Sequence, residues 1–158
     1  MRVLLVAAAV LSFAAIAMTA IKWATPAPEP VTTTVTAGPP AYTDDEITKA
    51  KKESCDASLD INEPVNRVQK ALLAAAPGSP ERQAALAEYQ TVTMVEIEYL
   101  KTKTTAAAPQ SVRDGVQRAI NALLAEVDAM TRGLSVQEQA ERADAVKAAG
   151  RNLDEVCK

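Results

Sequence analysis

The chain has 158 residues, 48% of them hydrophobic but only 3% aromatic, with 32 Ala and a formal net charge of -3. It contains no His and two Cys, so the usual proton shuttle and the commonest metal ligand are both missing, and most familiar catalytic constellations fall with them. The length allows one domain, and the acidic balance lacks the basic footprint that counterion release requires, which excludes nucleic acid as a partner.

Residues 3–21 form a run of 19 without a charge, in which Ser12 and Thr19 are the only polar positions. At a helical rise of about 1.5 Å per residue the run spans roughly 28 Å, close to the hydrocarbon thickness of a bilayer. Lys22 and Trp23 follow, a cation and an amphipathic ring that favour the lipid-water interface, while Arg2 and the free amino group mark the other side. Two positive charges before the run against one after it orient the N-terminus into the cytoplasm and the rest outside. Residues 1–23 therefore predict a transmembrane anchor with Arg2, Lys22 and Trp23 at the membrane interface. The alternative is a cleaved signal peptide, because Ala15-Ile16-Ala17 fits a small-x-small cleavage pattern, although cutting there leaves an apolar stub over 18–21. The first reading gives a single-pass membrane protein with an extracytoplasmic domain, the second a secreted one.

Over 24–42 the composition changes to Pro at 26, 28, 30, 39 and 40 and Thr at 25, 32, 33, 34 and 36. Such a stretch cannot bury a core; if it is polyproline-like throughout it reaches about 60 Å. It reads as a spacer between membrane and domain.

The remainder, 43–158, predicts four helices. Thr43 and Glu46 form a capping box, with Asp44 and Asp45 at the positive end of the dipole, and the apolar stripe runs Ser58, Ile61, Val65, Val68, Leu72, Ala75. Pro64 interrupts this stripe without shifting its phase, which predicts one kinked helix that ends at Pro77-Gly78. Ser79 and Pro80 open the second helix, with Leu86, Tyr89, Thr93, Ile97, Leu100 and Thr104 inward. The β-branched run over 91–99 also alternates as a strand would, but a lone strand among helices has no partner, so helix is favoured. The third helix starts near Pro109 or Ser111 and carries Val112, Val116, Ala119 or Ile120, Leu123, Val127 and Met130 before Gly133 stops it. The fourth opens on a capping box from Ser135 to Glu138, and its stripe of Ala140, Ala143, Val146 or Lys147, Gly150, Leu153 and Cys157 is small enough for a partner helix to approach closely. Short connections make neighbouring helices antiparallel.

Cys55 and Cys157 lie 102 residues apart in a part of the chain assigned outside the cytoplasm, where disulfides persist. Residues 55–76 and 136–157 both number 22, so the first and fourth helices match in length when a Cys55–Cys157 bridge closes them at one end. Residues 44–54, with the thin stripe Ile47, Ala50 and Ser54, would then project as a helical stalk with little to pack against.

Chemistry is sparse. Glu96, Glu98, Glu126 and Asp128 are the candidate carboxylate ligands, but without His they cannot complete the Glu-x-x-His pairs of bundle metal sites, and they read as solvated faces of the second and third helices. There is no Ser-x-x-Lys and no Gly-rich phosphate loop, and the domain has no Phe or Trp on which a sugar or base would stack. Lys49, Lys51 and Lys52 are offset by Asp44, Asp45, Glu46 and Glu53, with Asp45 and Lys49 spaced as an i,i+4 pair. No catalytic, cofactor or metal residues are assigned.

The short anchor, the Thr/Pro-rich spacer, the segment YTDDEITKAKKESCDA with Cys55-Asp56-Ala57, and the terminal LDEVCK resemble the small alanine- and proline-rich membrane-anchored proteins of mycobacteria and related actinobacteria. The resemblance implies a membrane-anchored, disulfide-bearing protein and brings no active-site residues. The expected architecture is all-α: an N-terminal transmembrane helix, a Pro/Thr-rich linker, and an antiparallel up-down-up-down four-helix bundle closed by one disulfide. The expected role is non-enzymatic, in cell-envelope interaction or structure. It would contact lipid through the N-terminal helix and another envelope protein through the bundle, with no cofactor. The alternative is a secreted domain that binds a small ligand in an opening between its Ala-rich helices.

Overall fold

Local sequence determines where the helices begin. At Thr43 the hydroxyl accepts the Glu46 N–H at 3.3 Å, and the Glu46 carboxylate accepts the Thr43 N–H at 2.8 Å, so two of the donors orphaned at a helix start are satisfied reciprocally. The computed structural model describes residues 41–158, and among these every regular element is a helix. The predicted anchor over 1–23, including Arg2, Lys22 and Trp23, and the linker up to residue 40 lie outside the described residues. No helix among the described residues is long and apolar enough to cross a membrane.

Helix α1 spans Asp44–Asp60 and α2 spans Asn62–Ala74. Ile61 between them keeps helical dihedrals (φ -70°, ψ -18°), donates to the Ala57 carbonyl and accepts from the Val65 N–H at 3.3 Å. The expected single helix is thus divided at one residue. Pro64 has no N–H to offer the Asp60 carbonyl, so the ladder loses one rung while the buried stripe of Ser58, Ile61, Val65, Val68 and Leu72 carries straight through.

Helix α3, Pro80–Lys103, starts where Ser79 Oγ accepts the Arg82 N–H at 3.1 Å. It runs unbroken through 91–99, which settles the helix-or-strand ambiguity in favour of helix. The Arg82 guanidinium turns back to donate to the carbonyls of Leu72 at 2.9 Å and Ala75 at 3.3 Å, closing the end of α2. Helix α4, Gln110–Thr131, ends in a Schellman motif: Gly133 sits at φ +62°, and Leu134 N–H reaches the Ala129 carbonyl at 3.0 Å. Helix α5, Val136–Cys157, has the predicted capping box between Ser135 and Glu138.

The core gathers Val68, Leu72, Tyr89, Ile97, Leu100, Val112, Val116 and Ile120, all nearly inaccessible, from α2, α3 and α4. Cys55 and Cys157 are bonded, with Cα atoms 5.8 Å apart, as the length match predicted. The stalk expectation needs correction. Ala50 and Ser54 are buried, and Ser54 Oγ donates to the Ala50 carbonyl at 2.8 Å and to the Lys103 carbonyl at 3.3 Å, because the end of α3 comes back against α1. No side chain over 44–49 is buried, and Lys52 and Glu53 on the outer face of α1 are exposed as well.

The close helix approach also differs from expectation. A Cβ built on Gly150 would meet nothing within 4 Å, so this member of the predicted α5 stripe is not a packing contact. At Gly115 on α4, by contrast, a Cβ would lie 3.0 Å from Leu153 Cδ1 and 3.4 Å from Val156 Cγ2, so the small residue that admits α5 sits on the partner helix. The face of α5 that enters the core carries Ala149 and Leu153, rotated from the face through Ala143 and Gly150.

Candidate functional site

Helix α5 packs on α4 and is bridged to α1, while its Cα atoms all stay more than 8 Å from those of α2. Between α2 and α5 lies a cleft of about 330 Å³. Ile61, Val65 and Gln69 line one side, Val146, Gly150 and Leu153 the other, and Leu100, Leu123 and Glu126 its floor. A second hollow of about 260 Å³ shares Gln69, Glu126 and Lys147 with the first and continues toward Leu73 and Val136. Those two apolar side chains are 59% and 84% exposed, so this end of the cleft is uncovered.

Glu126 is the site's one fully buried charged residue among the described residues. Its Oε1 accepts from Gln69 Nε2 at 2.6 Å and its Oε2 from the Tyr89 hydroxyl at 2.9 Å, so α2, α3 and α4 each contribute one member of a polar triad under the cleft. Burial first, and then the negative charge and hydrogen bond of Glu126, push the Tyr89 hydroxyl well above the usual phenol range. Tyr89 is therefore a hydrogen-bond donor at every physiological pH. Two neutral donors orient the carboxylate, and no cation among the described residues lies within 4 Å of it.

Glu126 was expected on a solvated face, and the structure places it in the core. Its spacing carried the signal: it stands three residues after Leu123 and four before Met130, in phase with the buried stripe, where the sequence reading had placed Val127. The other candidate carboxylates are dispersed. Glu98 is exposed and paired with Lys101 at 2.7 Å, Asp128 is exposed and paired with Arg132 at 2.7 Å, and Glu96 is half-buried on α3. Among the described residues no group of three or more His, Cys, Asp or Glu side chains converges as a metal site would require. On α1, Lys49 pairs forward with Glu53 at 3.8 Å instead of back with Asp45, and Lys52 pairs with Asp56. The predicted disulfide residues, Cys55 and Cys157, join the two helices at one end and do not line the cleft. No family model matches the chain, and no curated protein or solved structure is significantly similar to it.

Proposed function

We propose that this chain is a non-enzymatic, membrane-tethered extracytoplasmic helical module that binds a partner in the cleft between α2 and α5. The cleft is the observation that carries the reading: a hollow of ligand size whose walls mix apolar side chains (Ile61, Val65, Val146, Leu153) with polar ones (Asn62, Asn66, Arg151, Asp154), set over an oriented polar triad, has the form of a binding site. In this reading the helices form an antiparallel up-down-up-down four-helix bundle with one helix pair left open. The uncharged run over 3–21 serves as the anchor, the Pro/Thr-rich stretch as the spacer, and the Cys55–Cys157 bridge suits an oxidising compartment. The absence of His leaves acid-base chemistry to carboxylates and Lys, which supports binding over catalysis.

The dimensions of the cleft also favour a second reading, a secreted small-ligand-binding domain released by cleavage near Ala15-Ile16-Ala17. Membrane fractionation with N-terminal sequencing separates the two. The tether predicts an intact N-terminus in the membrane fraction; a soluble product beginning at Met18 or later would establish the released form.

A further inference from the structure

The wall of the cleft on α2 carries a row of amides. Asn62, Asn66 and Gln69 follow one another at steps of four and three residues and all line the hollow. Asn62 and Asn66 are exposed, and their side chains have no hydrogen-bond partner among the described residues. Gln69 is half engaged: its Nε2 donates to Glu126, and because a carboxylate only accepts, the amide is held with its Oε1 left over. That oxygen is accessible, since Thr93 Oγ1 is the one buried side-chain polar atom without a partner among the described residues. Glu126 is itself closed off and bears on the cleft only by turning Gln69.

The pitch of the row matches a polypeptide in extended form. At about 1.5 Å per residue, Asn62 and Asn66 stand about 6 Å apart along the helix. An extended chain rises about 3.3 Å per residue and turns the N–H and C=O of every second residue to the same edge, a repeat of roughly 6.6 Å. A side-chain amide offers a donor and an acceptor together, which is what such an edge requires. The floor beneath is apolar, through Ile61, Val65, Leu100 and Leu123, and would take the side chains of alternate residues.

Charge and size narrow the class. Lys147 and Arg151 balance Glu126 and Asp154, so the lining of the cleft selects no net charge. Residues 61–69 cover about 12 Å of helix, and 330 Å³ spread along that length leaves a section of about 27 Å². A helix of about 10 Å diameter needs roughly three times that section.

We propose that the cleft is a docking groove for an extended, uncharged peptide segment of a partner protein, with the peptide backbone paired to Asn62, Asn66 and Gln69 and small aliphatic side chains of alternate residues set on the floor. This rests on the reading of the cleft as a binding site and adds the kind of partner.

The test titrates acetyl-Val-Ser-Val-Ser-Val-amide, the same peptide N-methylated on two successive central amides, and tert-butanol into the full-length chain held in lipid nanodiscs. Binding is read from the methyl resonances of Val65 and Val146, in the wild type and in the double variant Asn62→Ala, Asn66→Ala. The parent peptide should bind the wild type about tenfold more tightly than its N-methylated form, and the double variant should bind the parent about tenfold more weakly while its response to tert-butanol stays within about twofold. Both substitutions fall at exposed helical positions where Ala is the better helix former, and an unchanged response to tert-butanol shows that the variant is folded. Equal binding of the two peptides, a double variant that keeps full affinity, or a response to tert-butanol alone would each overturn the peptide groove while leaving the cleft a binding site. Shifts that follow protein concentration without any probe would put a second copy there and overturn the proposal in the same way. No methyl shift under any of these conditions would overturn both readings.

Discussion

Two glycines face opposite consequences at the scale of single residues. Gly115 is buried on α4, with Leu153 and Val156 already at contact distance from the position a Cβ would take. Gly115→Val must push these side chains aside, and overpacking of this kind typically removes about 1 to 3 kcal/mol. Chemical denaturation of the variant should show a loss of about 2 kcal/mol, within that range. Gly150 lies in a helix with open space around it, where Gly is less favourable than Ala by about 0.5 to 1 kcal/mol. Gly150→Ala should therefore raise stability by about that amount in the same assay. A loss instead would mean that the wall of the cleft closes against Gly150 in solution. Neither role was legible in the sequence, because the stripe of small residues on α5 pointed to a close approach without naming the partner helix, and the residue that admits α5 is Gly115 on α4. Glu126 was hidden differently: its type argued for solvent, and only its phase with Leu123 and Met130 argued for the core.

At the scale of elements, the helix starts were legible because capping is local chemistry. The Thr43 and Ser135 boxes both form as their spacing predicts. They also make a statement about acid. The Thr43 backbone N–H, followed by its hydroxyl, holds the Glu46 carboxyl below the ordinary value of 4.5, and the Ser135 hydroxyl, followed by its N–H, does the same for Glu138. A carboxyl whose pKa is depressed on folding contributes stability that is present above its unfolded value and is lost as pH falls through the folded one. Side-chain carbonyl shifts followed by NMR should place both titrations below 4.5, and Ser135→Ala should raise that of Glu138 toward the ordinary value, the backbone N–H of residue 135 still holding it down in part, without moving Glu46. Movement of both would show that the caps are not independent. The break at Ile61 was legible in position, since Pro64 stood in the sequence, and the unbroken stripe on either side explains why the interruption is a single residue.

For the whole domain, the bridge was legible from segment lengths, whereas the cleft was not. Matching helix lengths constrain which ends meet, but the separation of α2 from α5 depends on how α5 rotates on α4, which no local pattern encodes. The Cys55–Cys157 bond closes a loop of 102 residues, a length at which the chain-entropy model assigns roughly 4.7 kcal/mol and measured losses run to about 2 to 5. The double variant Cys55→Ser, Cys157→Ser should lose stability within that span in urea unfolding, and reductant should shift the midpoint of the wild type but not of the variant.

The bridge fastens α5 at its C-terminal end, and the buried residues of that helix, Ala149 and Leu153, lie in the same half. Its opening turns, from Val136 through Ala140, are exposed or half-buried and stand across a hollow from Gln69 and Leu73 of α2, with no Cα of that helix within 8 Å. One helix thus has two mechanical regimes, a pinned end and a free one. Amide exchange resolved along α5 should slow steadily from the turns after Ser135 to those around Leu153, as local opening gives way to opening of the whole domain. A uniform rate along the helix would show that α5 moves as a rigid rod, and cutting the bridge should flatten the gradient by releasing the pinned end.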